Sequence, residues 1–213
     1  VQREVVFGLW VFTLLNNLQD FVYHEVGWGI EAEPAVSVWS YGLPSLVHQS
    51  VGAMIVLVLG GLWVGREHLA DVWRKAFCPA PDVEDGEEII SYRGCVWGLL
   101  VSTAVMALWL WQLGLPPLGV VVFLFFAFII FVTLTRVIAE GGVAVIYTPM
   151  VPADAAVSAV GGALYGGPGL VGLALTRVLG NDMLNFVMPH VANGLRLTPR
   201  IPGNRRLLFW VML

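Results

Sequence analysis

Residues 94–142 read GCVWGLLVSTAVMALWLWQLGLPPLGVVVFLFFAFIIFVTLTRVIAEGG. No charged residue lies between Arg93 and Arg136. Such a run is about twice what one membrane helix needs, roughly 20 residues for a ~30 Å hydrocarbon core. Gly114-Leu115-Pro116-Pro117 supplies a break in the middle. Proline lacks an N–H and disfavours helix in the residue before it. The stretch predicts two membrane helices, about 94–114 and 117–138, joined by a tight turn. The second ends in Arg136 and Glu140, four residues apart and therefore on one helical face, with Gly141 and Gly142 directly after.

The composition points the same way. The chain is 58% hydrophobic and 12% charged, with a mean hydropathy of +0.80. A soluble domain carries about 25% charged residues, so half that value with long uncharged runs indicates the membrane class. The 11 Lys and Arg form no basic stripe with interleaved aromatics, which argues against nucleic acid as a partner. Cys78 and Cys95 have neither CxxC nor metal-ligand spacing and read as reduced thiols. Nine tryptophans suit a multi-pass protein, in which they gather at the interfaces. The chain begins at Val1 without a signal peptide and stops inside RRLLFWVML, which reads as the first turns of another span. A fragment truncated at both ends is expected.

Before the hairpin, residues 5–18 are apolar but short, either the tail of a membrane helix or an interfacial segment. Residues 16–35 turn polar and acidic. The first full span is about 43–64, with His48 and Gln49 in its first turns. An amphipathic piece, GREHLADVWRKAF, follows, and then the Pro-rich acidic stretch 79–91. The loop 65–93 holds Arg66, Arg74, Lys75 and Arg93, whereas the turn at 114–118 holds no cation. The positive-inside rule therefore makes the acidic loop 65–93 cytoplasmic, turns Pro116 outward and returns Arg136 and Glu140 to the cytoplasmic half.

Residues 141–176 are apolar yet rich in Gly and Pro. With Arg196, Arg200, Arg205 and Arg206 also placed inside, the segment 143–195 must enter and leave on one side. It is either a re-entrant hairpin or two spans, 155–176 and about 178–195, the latter carrying Asp182, Asn185 and His190. The glycines of 161–172, including Gly166 and Gly167, suit either tight helix packing or a broken helix whose free backbone groups bind a polar ligand. The fold expected is all-α: part of a polytopic α-helical membrane domain with a Gly-rich broken or re-entrant segment.

Several side chains are candidates for chemistry. Arg136 and Glu140, with Gly141 and Gly142 beside them, are either a substrate-binding or gating element or a structural pair with Arg136 snorkelling to phosphates. His48 and His190 are candidate proton relays, or else interfacial histidines. Asp154 and Asp182 read as helix N-caps. The group His24, Glu25, Glu31 and Glu33 lacks metal-site spacing and reads as solvated. No Ser/His/Asp or Cys/His signature is present, so neither an enzyme nor a cofactor is expected.

The order of these pieces is a span ending LWVGREHLADVWRKAF, an acidic loop, SYRGCVWGLL, a hairpin, and TRVIAEGG (135–142) before the Gly-rich segment. Over residues 43–206 it resembles the prokaryotic multi-pass membrane proteins related to the oligopeptide transporter (OPT) superfamily. The resemblance implies a cell-membrane transporter with more spans than this chain holds. It implies uptake of a small polar solute, a peptide or a metal chelate, usually coupled to protons. Arg136 and Glu140 lie in the matching motif. The competing expectation is a membrane scaffold or assembly subunit with no solute pathway.

Overall fold

A computed structural model of the protein describes residues 3–27, 44–78, 90–141, 148–180 and 187–197. Among the described residues there are eight helices and no strands, so the chain is all-α. They are α1 (Arg3–Val26), α2 (Pro44–Val64), α3 (Arg66–Phe77), α4 (Tyr92–Gln112), α5 (Pro117–Gly141), α6 (Pro152–Val160), α7 (Gly162–Gly180) and α8 (Val187–Leu197). Three of them are long and apolar enough to cross a membrane: α2 over Leu46–Val64, α4 and α5.

The hairpin forms for local reasons. The Ser91 hydroxyl accepts a hydrogen bond from the Gly94 N–H at 3.3 Å and so caps α4. Pro117 takes the first position of α5, where an absent N–H costs the helix nothing. α5 is the most apolar helix, with a mean hydropathy of 2.8 against 1.7 for α2 and α4. It is also the most enclosed, since α2, α4, α6 and α8 all pack against it. Val120, Phe123, Leu124, Ala127, Ile130 and Leu134 bury its core face.

α2 and α5 run parallel. Thr133 Oγ1 donates to the Met54 carbonyl and Arg136 Nη1 to the Leu57 carbonyl, each at 3.4 Å, so three residues of advance on one helix match three on the other. The bundle therefore has two distinct ends. Arg66, Arg93 and Arg136 gather at the basic end, and the Gly114–Pro117 turn marks the other.

Two segments extend further as helix than their composition indicates. α1 runs on past the apolar 5–18 stretch through Asp20 and His24 to Val26. The loop expected over 65–93 opens with α3, which folds back on α4. Arg93 Nε donates to the Lys75 carbonyl at 3.1 Å, and the Phe77 ring lies tilted against Trp97 with centroids 5.7 Å apart. The acidic residues 79–89 lie outside the described residues.

For the Gly-rich segment, with a hairpin or a span over 155–176 as the alternatives, the described residues do not form one continuous helix over 155–176. They divide at Gly161 into α6 and α7, and α7 is kinked at Gly166. Of the segment 178–195, α7 covers the start as far as Gly180 and α8 begins at Val187, and residues 181–186 lie outside the described residues. α8 packs on α5, with Pro189 buried.

Candidate functional site

Gly161 has φ 81° and ψ 149°, and Gly166 has φ 61° and ψ −177°. These conformations are essentially confined to glycine, because a Cβ would clash with the backbone. They turn the Gly-rich stretch into a helical hairpin. Other glycines of the same stretch serve close approach instead. A Cβ on Gly172 would stand 2.7 Å from Leu115 Cδ1 and 2.9 Å from the Leu113 carbonyl oxygen. One on Gly169 would stand 3.3 Å from the Gly114 carbonyl oxygen. The two uses foreseen for these glycines, packing and breaking, therefore fall on different residues. Gly167 has open space where a Cβ would be.

The depth of this hairpin follows from its contacts. Met150 and Ala155 cluster with Val47 and Val51, against Ile55 and Phe126. Phe126 precedes Gly141 by about four turns, so by Met150 the chain lies roughly 20 Å back along α5 from the basic end. α6 starts there and heads for the turn end, where the Tyr165 ring fills the place of a side chain on Gly119. α7 then returns alongside it.

The start of α6 and the end of α7 thus meet deep in the apolar bundle, and each carries a charge. Asp154 lies in the first turn of α6 and Arg177 in the last turn of α7. Asp154 Oδ2 and Arg177 Nη2 are 3.4 Å apart. Asp154 is 18% exposed and Arg177 35%. Each sits at the helix end whose dipole favours its sign. The Asp154 Oδ2 atom is buried and, apart from this ion pair, has no hydrogen-bond partner among the described residues. The N-cap of α6 is Val151, so Asp154 is a first-turn residue and not the cap that its place beside Pro152 indicated. The Tyr165 hydroxyl is also buried without a hydrogen-bond partner among the described residues.

Arg136 and Glu140 form the second pair. Arg136 Nε donates to Glu140 Oε1 at 2.8 Å on the last turns of α5. The guanidinium crosses onto α2, where its Nη1 takes the place that a side chain on Gly61 would occupy. This pair is open, with 41% of the Arg136 and 64% of the Glu140 side chain exposed. Gly141 closes α5, and Gly142 lies outside the described residues.

The candidate histidines stand elsewhere. His48 is exposed in the second turn of α2, and His190 is exposed on α8. From the α2–α5 register, His48 lies about 20 Å along the bundle from Glu140. Asp182 and Asn185 lie outside the described residues. Among the described residues no group of three His, Cys, Asp or Glu side chains could hold a metal ion. Cys78 and Cys95 are both exposed.

Sequence reasoning assigned Asp154 only a capping role and did not single out Arg177. A signal was present: between Glu140 and Asp182 these two are the only charged residues, and their signs are opposite.

The chain belongs to DUF6785, a family of unknown function, whose model matches residues 1–213. Comparison with curated proteins and with solved structures finds no match.

Proposed function

We propose that this DUF6785 member is part of a secondary carrier that moves a small polar solute, a peptide or metal chelate, across a cell membrane in exchange for the energy of a proton gradient. One observation carries the reading: the Asp154–Arg177 pair sits deep among apolar helices, on a hairpin broken at Gly161 and Gly166. Ionisable groups at membrane depth are expensive and by default suggest a solute or ion pathway. Discontinuous helices near the midplane are where many secondary carriers bind substrate, with the helix N-terminus and free backbone groups as ligands. The resemblance of TRVIAEGG and its surroundings to OPT-related proteins supports the same class.

In this reading Asp154 is the protonatable group and Arg177 is its ion-pair partner until solute or proton displaces the pair. Arg136 and Glu140 form a gate at the basic end, which the positive-inside rule places in the cytoplasm. The test is uptake by proteoliposomes of the full-length protein, with small peptides and metal chelates under an imposed proton gradient. Wild type accumulates at least one of these classes, and Asp154→Asn lowers uptake by about tenfold or more. Wild-type uptake in well-folded Asp154→Asn would refute the assignment of Asp154.

The scaffold reading keeps one observation of its own. The Gly169–Gly172 face is filled by Leu113, Leu115 and Pro116, so this part of the Gly-rich stretch is packing surface. Absence of any solute pathway in the full-length protein would favour it.

A further inference from the structure

The helix that follows α2 carries a surface that the carrier reading does not use. Only Gly65 separates α2 from α3, yet α3 does not prolong the span. Its His68 ring stands 5.9 Å from Tyr92 and its Phe77 ring 5.7 Å from Trp97. Roughly 13 Å along α3 is thus matched by roughly 7 Å along α4, in the same direction. α2 runs parallel to α5 and therefore against α4. So α3 turns back from the end of α2 and lies across the first two turns of α4.

The helix is two-faced. Glu67, Asp71, Arg74 and Lys75 fall on one side of it, and Leu69, Ala70, Trp73 and Phe77 on the other. The packing on α4 buries Ala76 but leaves the apolar row open. Leu69, Trp73 and Phe77 follow at four-residue steps and stay 43%, 57% and 47% exposed. Arg66 begins the same row, but its guanidinium is turned back. Its Nη1 donates to the Trp63 carbonyl at 3.1 Å, and its central carbon lies 5.1 Å from the centre of the Trp63 ring. Beyond Arg66 the row is apolar throughout.

The row joins the exposed surface of both neighbouring spans. Leu62 of α2 lines one groove with Leu69 and Trp73. Phe77 meets Trp97 of α4, which is itself exposed. We propose that α3 lies in the interfacial layer of the bilayer, with Leu69, Trp73 and Phe77 among the upper acyl chains and its charged side in water. Lipid is the occupant because the row continues the outer surfaces of α2 and α4, at the ends of two helices long and apolar enough to cross a membrane. Tryptophan gathers at that level. A helix with an apolar, aromatic face opposite a charged one settles there, its apolar face about 5–10 Å into the boundary between headgroups and acyl chains. The inference rests on α2 and α4 spanning a bilayer and not on solute transport.

The test is spin-label accessibility in the full-length protein in lipid nanodiscs. The native cysteines are replaced by serine, and labels are placed in turn at Leu69→Cys, Trp73→Cys, Glu67→Cys and Asp71→Cys. Val56→Cys, on the exposed face of α2, gives the lipid reference. Labels at 69 and 73 collide freely with oxygen and meet a water-soluble nickel chelate about threefold or more less often than labels at 67 and 71. Thermal melting checks the fold of each variant. Nickel access at 73 equal to that at 71 would overturn the proposal by placing α3 in water. Low access of 73 to both oxygen and nickel would overturn it by showing the row covered with protein. Nickel access at 56 as well would remove the membrane spans along with it.

Discussion

The two ion pairs differ in how they are built and in what they can do. Arg136 and Glu140 share one helix, four residues apart, at the open end of α5. Asp154 and Arg177 come from two helices separated by two glycine breaks, and Asp154 is mostly buried. The first pair forms wherever α5 forms. The second exists only when the hairpin closes, so it reports the tertiary fold. A charge pair that depends on closure can also be opened by an event that moves the hairpin, which a pair within one helix cannot offer.

The largest effect is expected from Arg177→Ala. It leaves the Asp154 carboxylate buried without its counter-charge, and loss of one member of a buried pair is strongly destabilising, here about 2 kcal/mol or more. Arg136→Ala should cost less than about 1 kcal/mol, since exposed pairs contribute little. Thermal melting of the full-length protein in one detergent compares them directly. Equal losses would erase the distinction between the two pairs.

The hairpin break comes next. Gly166→Ala forces a side chain into a conformation that glycine alone adopts freely, at a cost of about 1–3 kcal/mol. Gly167→Ala, with open space around its Cβ position, should change stability by less than about 0.5 kcal/mol. Similar melting temperatures for the two variants would mean that the kink is not needed to close the Asp154–Arg177 pair.

The smallest effects test the surroundings of each pair. Gly61→Ala displaces the Arg136 guanidinium from α2 and should cost under about 1 kcal/mol. Tyr165→Phe removes a buried hydroxyl that has no hydrogen-bond partner among the described residues and should be neutral or stabilising by up to about 1 kcal/mol. A clear loss in Tyr165→Phe would show that the hydroxyl has a partner in the whole protein.

The same contrast explains what the sequence reveals. α2, α4 and α5 are legible because apolar length and proline punctuation are local properties, and the Arg136–Glu140 contact is legible because helical spacing fixes it. The hairpin was legible only as a break of some kind. Which glycines turn the chain and which let α7 approach Leu113 and Leu115 depends on what packs against them. An Asp near prolines and glycines reads as a helix cap, and that reading of Asp154 rests on neighbours alone. Its partner lies 23 positions onward and is brought near by Gly161 and Gly166. The helical extent of α1 through polar residues was likewise invisible to a reading based on apolar length.

The central claim is that the hairpin carrying Asp154 and Arg177 borders a water-accessible pathway. The most direct test is thiol accessibility in the full-length protein, with Cys78 and Cys95 replaced by serine. Thr176→Cys leaves both charges in place beside Arg177, at a position that is buried here and reacts only if the hairpin opens to water. Val121→Cys on the exposed face of α5 is the control. The account predicts that a membrane-impermeant thiol reagent modifies position 176 in reconstituted vesicles and that position 121 stays unreactive. Position 176 remaining as inert as position 121, in protein that melts like wild type, would contradict it.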